Sequence, residues 1–488
     1  MLKRTSFFPR IFAEKCLAST KYCRLIRTTS SDTFPTTRQV VPEKDFSLKR
    51  ALIVAKLSRY EFEKRRYPDL NSTQLEEKIR GRGTDYDSLI HFNEMHSNFR
   101  KSVVDAFRHC GVEVRVVDRH SITKESINWA DIIVPVGGDG TFLMAASRAD
   151  FINAPAGRKV PVVGFNSDPE SSEGRLMLPK VYSADTKSAI ERIMNHNFTW
   201  MHRSRIRITH LASNGNLPEA IDLHEHKGNN MEHLSLEPEL LDSHEQELYD
   251  AKVKRTLPYL ALNEVFIGET LSARVSHLQL RADGVVTNTK CSGLCVSTGI
   301  FGQAHTDKFH KMPHGAHFGA PRFNVWLQED MICKVDLPFF LQALLIVNGE
   351  VPDFPLISPS LHLLKVIPIN RLSPKNVEEL LTILRQGNHL VGHLDANEIA
   401  REYNRRLVFP PDDPRLCYSI REEIRVGVWP NPKGGMESRA FASKLFIQSR
   451  CLDASLVIDG SISYPFNDGA KVVLETRPED ALLTISME

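Results

Sequence analysis

Short apolar, β-branched runs alternate with longer polar stretches over the first two hundred residues. Arg50-Ala51-Leu52-Ile53-Val54-Ala55-Lys56 reads as a buried strand. A polar, charged stretch follows, then a helical pattern from Tyr86 to His109 that Cys110-Gly111 ends. Val112 to Val117 alternates as a strand, and Ala130 to Val136 and Val160 to Phe165 are further apolar strands. Helices are predicted over Gly140 to Ala149 and Ala184 to Met194. Strands alternating with helices predict an α/β domain with a parallel, doubly wound sheet, here over residues 46–200. In such sheets ligands sit at the carboxyl ends of the strands. The turns Gly137 to Thr141 and Asn166 to Asp168 both fall there.

From Trp200 the texture becomes strand-like, predicting a β-rich, sandwich-like second domain over residues 201–480. Arg203 to Leu211 alternates basic and apolar residues, and Leu257 to Gly268, Ser272 to Ala282 and Gly293 to Ser297 are apolar and strand-like. Residues 213–252 are polar, with little period, and read as a mobile surface insertion. Their histidines (His224, His226, His233, His244) are more simply surface residues than a metal site. Two amphipathic helices are predicted at Asn376 to Arg385 and Asp395 to Arg406. The C-terminal stretch returns to strands at Leu445 to Gln448, Leu456 to Ile458 and Lys471 to Leu474.

Residues 1–38 differ from the rest. Eight Lys and Arg residues are mixed with Ser and Thr against only Glu14 and Asp32. That composition is that of a mitochondrial transit peptide and predicts residence in the matrix. Over the whole 488 residues the formal net charge is +2, which does not suggest a nucleic-acid-binding surface. No apolar run reaches the ~18 residues of a membrane span, so no membrane insertion is expected. The eight cysteines include no pair at CxxC spacing and read as reduced thiols rather than a disulfide framework or zinc site.

The candidate chemistry begins at Gly137-Gly138-Asp139-Gly140-Thr141. A glycine turn between strand and helix lets backbone N–H groups approach an anion at a helix N-terminus. A P-loop would carry a Lys in such a turn, and here the charged residue is Asp139. A carboxylate beside phosphates needs a reason, either activating a hydroxyl or positioning a metal ion. Taken alone, Asp139 and Asn166 are equally well read as turn-formers. Asn263-Glu264, flanked by apolar residues, could equally be a bulge with a surface carboxylate, and Cys291 and Cys295 read as core thiols.

Four stretches together resemble the NAD kinases, with the mitochondrial branch of the animal enzymes the nearer match. They are Gly137 to Thr141, Gly164 to Gly174, Leu262-Asn263-Glu264-Val265 and Ser292 to Gly299. Gly-Gly-Asp-Gly alone is shared with diacylglycerol kinases, whereas the ordered set is specific. The resemblance implies a Rossmann-like fold and transfer of a phosphoryl group from ATP to the adenosine ribose 2′-OH of NAD. It implies Asp139 as the catalytic base. Gly137, Gly138, Gly140, Thr141, Asn166, Asn263, Glu264, Thr298 and Gly299 would be the binding residues. Mg²⁺ would come with ATP, and no resident protein metal site is implied. A homodimer is expected. A lipid or sphingoid kinase on the same scaffold fits less well, because Asn263-Glu264 and Ser297-Thr298-Gly299 follow the NAD kinase pattern.

The family pattern breaks after Gly299. Small hydroxyl residues and an aromatic are expected, but the chain reads Ile300-Phe301-Gly302-Gln303-Ala304-His305, and residues 300–369 match nothing in the pattern. Two explanations stay open: an inserted lid or regulatory segment, and translated non-coding sequence, with the second favoured because insertions normally spare catalytic loops. An interrupted loop also leaves room for an inactive, NAD-binding regulator.

Overall fold

The computed structural model describes residues 46–149, 159–172, 174–213, 219–223, 227–228, 237–271, 274–299, 410–421, 424 and 439–487, with single positions between 378 and 401. Nearly all of them belong to one compact unit within Ser47–Cys333 and Asn404–Glu488. Residues 1–38, the block 300–369 and the helices expected at 376–385 and 395–406 lie outside the described residues, apart from 378, 382, 395–398 and 401.

A parallel sheet forms first in the chain. Its strands are β1 (Arg50–Ala55), β2 (Glu113–Val117), β3 (Ile132–Gly137) and β4 (Phe165–Asn166), in the order β2-β1-β3-β4. The order reverses between β1 and β3, which is the switch point where such sheets open a crevice at their carboxyl ends. Both central strands are buried almost throughout, consistent with their unbroken apolar runs. Helix Asp139–Ala149 packs Phe142, Leu143, Ala145 and Ala146 against this sheet, and helix Tyr86–His109 runs the length predicted for it.

Three expectations are corrected here. Val160 to Phe165 is not one strand: only Phe165–Asn166 pairs with β3, with an isolated bridge between Ile133 and Val162. Pro161 has no N–H to give, and the Val162 N–H bonds Leu483 O at 3.0 Å, so this edge is divided between two partners. The charged stretch after β1 contains two helices, Arg59–Arg66 and Ser72–Gly81, each opened by a capping box (Ser58 with Glu61, Asn71 with Gln74). Residues 237–252, read from sequence as part of a mobile insertion, carry strand Glu239–Leu240 and helix Ser243–Tyr249. Asp242 caps that helix, and Tyr249 packs with Leu211, Leu241 and Phe446. A seven-residue helix is too short to show a period.

The second half is an antiparallel sandwich of a seven-stranded and an eight-stranded sheet. Inward positions of the first sheet (Ile206, Ile208, Leu278, Leu280, Leu445, Ile447, Val472, Leu474) meet those of the second (Val265, Ile267, Leu294, Val296, Leu456, Ile458) in one core. The apolar/polar alternation that identified these strands is the alternation between that core and solvent. The expected α/β domain followed by a β-rich domain is therefore the observed fold class.

The C-terminus then returns to the parallel sheet. Strand Leu482–Ser486 pairs with Thr199–Arg203, the Thr484 hydroxyl donates to Val162 O, and Lys159 Nζ donates to Ala481 O. Just before it, Asp480 takes a two-pronged ion pair from Arg207, at 2.6 Å to each oxygen, while Arg205 Nε donates to the Asp480 carbonyl. Asp480 is 4% exposed. Removing one partner of a buried pair strands the other, at roughly 3–5 kcal/mol. Asp480→Ala is therefore expected to lower the stability measured by urea unfolding by about that amount, and an unchanged midpoint would refute the anchoring role.

Candidate functional site

The glycine turn sits at the switch point. The Gly138 carbonyl accepts from Thr141 N at 2.8 Å and Phe142 N at 3.2 Å, which starts the helix immediately. A Cβ on Gly137 would lie 2.4 Å from Thr141 Oγ1 and 2.8 Å from the Cβ of Lys56. Only glycine fits between the end of β1 and the first turn of the helix. Gly138 and Gly140 have open space where a side chain would be, so the turn's outer surface is clear for a ligand.

Asp139 is the first residue of that helix, partly buried, and held from outside the turn. Its Oδ2 accepts from Arg175 N at 3.1 Å and its Oδ1 from Leu176 N at 2.9 Å. Burial raises the Asp139 carboxyl above its usual range, against the pull of these two N–H groups and of the nearby Arg175 and Arg203 guanidiniums. Two donors occupy about half of a carboxylate's acceptor capacity. A desolvated carboxylate with free lone pairs at a helix start is equipped to take a proton.

Asn166 is 1% exposed and works inside its own turn. Its amide donates to Ser172 O at 3.0 Å, and its oxygen accepts from Asp168 N and the Ser172 hydroxyl. Gly174, at φ +59°, lies so close that a Cβ there would touch the Asn166 side chain at 2.5 Å. Asn166 thus shapes the loop whose far end presents the Arg175 and Leu176 N–H groups to Asp139.

The Asn263-Glu264 pair is brought to the same region by Leu262, which packs in one cluster with Phe142, Leu143 and Met177. Its backbone is fixed by Asp459, a residue the sequence reading did not single out. The buried Asp459 carboxylate accepts from Leu262 N at 2.8 Å, Asn263 N at 2.8 Å and Glu264 N at 2.9 Å. Asp459 itself sits at φ +47° in the Asp459-Gly460 turn, a turn dipeptide that marks the position in the sequence.

Glu264 points inward, 2% exposed, and accepts a 3.4 Å bond from Cys295 Sγ, so Cys295 is more than core filler. The Asn263 side chain is the more exposed of the pair and makes no hydrogen bond among the described residues. Thr298 is fully buried; its hydroxyl donates to Leu262 O at 2.6 Å and its N–H to Asn263 O. It braces the Asn263 turn from beneath. Gly299 is buried at the edge of the described residues.

Arg203 was also missed. It closes strand Thr199–Arg203, burial lowers its pKa to about 10, and its Nε is buried with no hydrogen-bond partner among the described residues. The basic and apolar alternation from Arg203 to Leu211 was visible, but which of its basic residues would lie near Asp139 was not. Cys110, Cys291, Cys295, Cys417 and Cys451 are reduced thiols, outside any disulfide. No helix among the described residues is long and apolar enough to cross a membrane.

Comparison with known proteins places relatives beside this geometry. The chain is 32% identical over 450 residues to the Rattus norvegicus protein named NAD kinase 2, mitochondrial, covering 91% of this chain and 88% of that one. The Homo sapiens protein of the same name is 32% identical over 452 residues, 91% of this chain and 85% of its own. Among solved structures, a yeast NADH kinase complexed with NADH aligns with a TM-score of 0.41 and 12% identity over 90% of this chain and 84% of that one, too low to carry weight. No family model matches the chain.

Burial raises Glu264 to about 7 and Asp459 to about 6. The folded chain therefore holds protons that the unfolded chain releases near pH 4. The stability this contributes is complete below that pH and is lost as pH rises through 6 to 7. His96 and His210, which burial lowers to about 4, act the other way, adding stability as pH rises toward 6.5, so the contribution of Glu264 is read by difference. Glu264→Gln, which stays neutral, is expected to gain stability relative to the wild type between pH 5 and pH 7.5 in urea unfolding; an unchanged difference between the two proteins would show that Glu264 does not titrate in this way.

Proposed function

The chain belongs to the NAD kinase family, alongside the mitochondrial NAD kinase 2 proteins, and on that footing we propose that it moves the γ-phosphoryl group of ATP onto the adenosine ribose 2′-OH of NAD. The product is NADP and the place is the mitochondrial matrix, with residues 1–38 as the leader. The observation that carries this reading is the Asp139 carboxylate, set in a glycine turn at the switch point and desolvated without being paired off.

Each part of the site has a task in that reaction. The turn Gly137 to Thr141 offers backbone N–H groups and a helix N-terminus to the phosphates. Asp139 takes the proton of the attacking hydroxyl as the new P–O bond forms and the bond to ADP breaks. Asn263 offers a half-buried side-chain amide to the ribose or base of NAD, while Thr298 and Asp459 brace the backbone of its turn. Asn166 acts through the loop it shapes, keeping Asp139 aimed. The guanidinium of Arg203 favours the ionised form of Asp139 that is needed before the proton is taken. Mg²⁺ would come with the triphosphate, where it would neutralise phosphate charge.

The reading includes a homodimer. The outer strand Val285–Cys291 exposes Val285 and Val286 at a sheet edge, a surface that pairing would cover. One alternative has its own support: the broken pattern after Gly299 suits a chain that binds NAD without turning it over.

Replacing residues 300–369 by a Gly-Ser-Thr type loop is expected to give a protein that converts NAD and MgATP to NADP, and Asp139→Asn in it should remove at least 99% of that activity. An active Asp139→Asn protein would refute the base. The unmodified chain separates the two readings: NAD binding in calorimetry with no turnover favours the regulator. A transcript lacking codons 300 to 369 would remove the interruption altogether.

A further inference from the structure

The glycine turn has a charge deficit. A nucleoside triphosphate brings several negative charges, and the turn's own charged residue, Asp139, is negative too. The Arg175 and Arg203 guanidiniums lie toward Asp139, and Mg²⁺ would come with the triphosphate, which leaves open which side chain of the crevice meets the phosphates themselves. We infer that it is Lys56, which receives the polyphosphate of the nucleotide, with His96 and Ser167 holding its ammonium group in position. This rests on the kinase reading of the same site.

Lys56 follows the last residue of β1, directly across the switch point from the turn. Its N–H bonds Val136 O at 2.9 Å, and its Cβ lies 2.8 Å from the place a Gly137 Cβ would occupy. The side chain therefore starts at the floor of the crevice, in contact with the turn. Its Nζ reaches His96 Nε2 at 3.0 Å, on the long helix Tyr86–His109, and His96 Nδ1 reaches the Ser167 hydroxyl at 2.7 Å in the loop after β4. Three elements that border the crevice are joined by this chain of contacts.

The proton positions follow from the charges. Burial, and then the neighbouring Lys56, lower His96 to about 4, so the ring is neutral at pH 7. A neutral ring beside an ammonium accepts at Nε2 and so carries its hydrogen on Nδ1, which donates to Ser167 Oγ. His96 thus takes one of the three ammonium hydrogens and leaves two. The packing around the Lys56 ammonium group, on its His96 side, lowers its pKa, with Asp168 acting against it, while the rest of the side chain stays open to solvent.

The bland alternative is a lysine engaged in a structural ion pair. Lys56 makes no ion pair among the described residues, although Asp168 faces it from the loop after β4 and Glu61 faces His96 from helix Arg59–Arg66. His96 and Ser167 are buried, while Lys56 remains exposed. An exposed cation on a buried support at a ligand crevice is arranged to meet an anion.

The test uses the full chain, with ATP, inorganic tripolyphosphate and NAD as calorimetric probes. Lys56→Met is expected to weaken ATP and tripolyphosphate at least tenfold, to leave NAD binding within twofold, and to retain the wild-type circular dichroism. Lys56→Arg should recover most of the loss. Added salt should weaken ATP binding more for the wild type than for Lys56→Met. If Lys56→Met does not fold, Lys56→Gln, which keeps a donor for His96, serves the same comparison. A charge-free variant that binds ATP and tripolyphosphate as tightly as the wild type overturns the proposal while leaving the kinase reading intact. A wild-type chain that binds neither overturns both.

Discussion

Two carboxylates that capture backbone N–H groups organise this molecule's site. Asp139 takes the amides of Arg175 and Leu176, and Asp459 takes those of Leu262, Asn263 and Glu264. Backbone donors in loops must find partners when they are buried, and a charged acceptor satisfies several at once. The first capture ties the glycine turn to the loop after β4. The second ties the Asn263 turn, which comes from the sandwich, to the end of another strand of the same sheet. Leu262 then docks that turn against Phe142 and Leu143 beside the parallel sheet. Most of the site's polar side chains are spent on holding loops, and few remain for a ligand.

That division of labour explains what could and could not be seen in the sequence. Strands such as Ile132–Gly137 and Glu264–Glu269 were legible because burial leaves an apolar run, and Tyr86–His109 because a long helix repeats its face. The helices Arg59–Arg66 and Ser72–Gly81 were hidden by charge, although their capping boxes were present to be found. At the site, residue type predicted location well and orientation poorly. Asn166 bonds within its own loop, Thr298 bonds back to Leu262, and Glu264 turns inward to Cys295. Lys56 carries no local signature, Arg203 only its place in a basic and apolar alternation, and Asp459 only its Asp-Gly turn, since what brings each of them to the site is a contact made far away in the chain.

The electrostatics follow from the same geometry. The crevice gathers one desolvated acid, Asp139, with Arg203 near it, and Lys56 beside Gly137 with the neutral His96 against its ammonium group. Positive charge near the turn suits a reaction in which an anionic phosphate approaches a hydroxyl that must lose its proton. Nothing in the described part of the chain conflicts with membership of the NAD kinase family. The departure that bears on activity, residues 300–369, begins immediately after Gly299, where the family pattern places the rest of the binding loop.

Phosphoryl transfer to one particular hydroxyl is the claim on which the rest stands, and a phosphorus NMR spectrum reads it directly. NAD and MgATP are incubated with the full chain and, separately, with the protein in which residues 300–369 are replaced. Loss of the γ-phosphate signal with growth of a ribose 2′-monoester in either sample is the expected result. A monoester at another position, or ATP left untouched by both folded proteins, would contradict it.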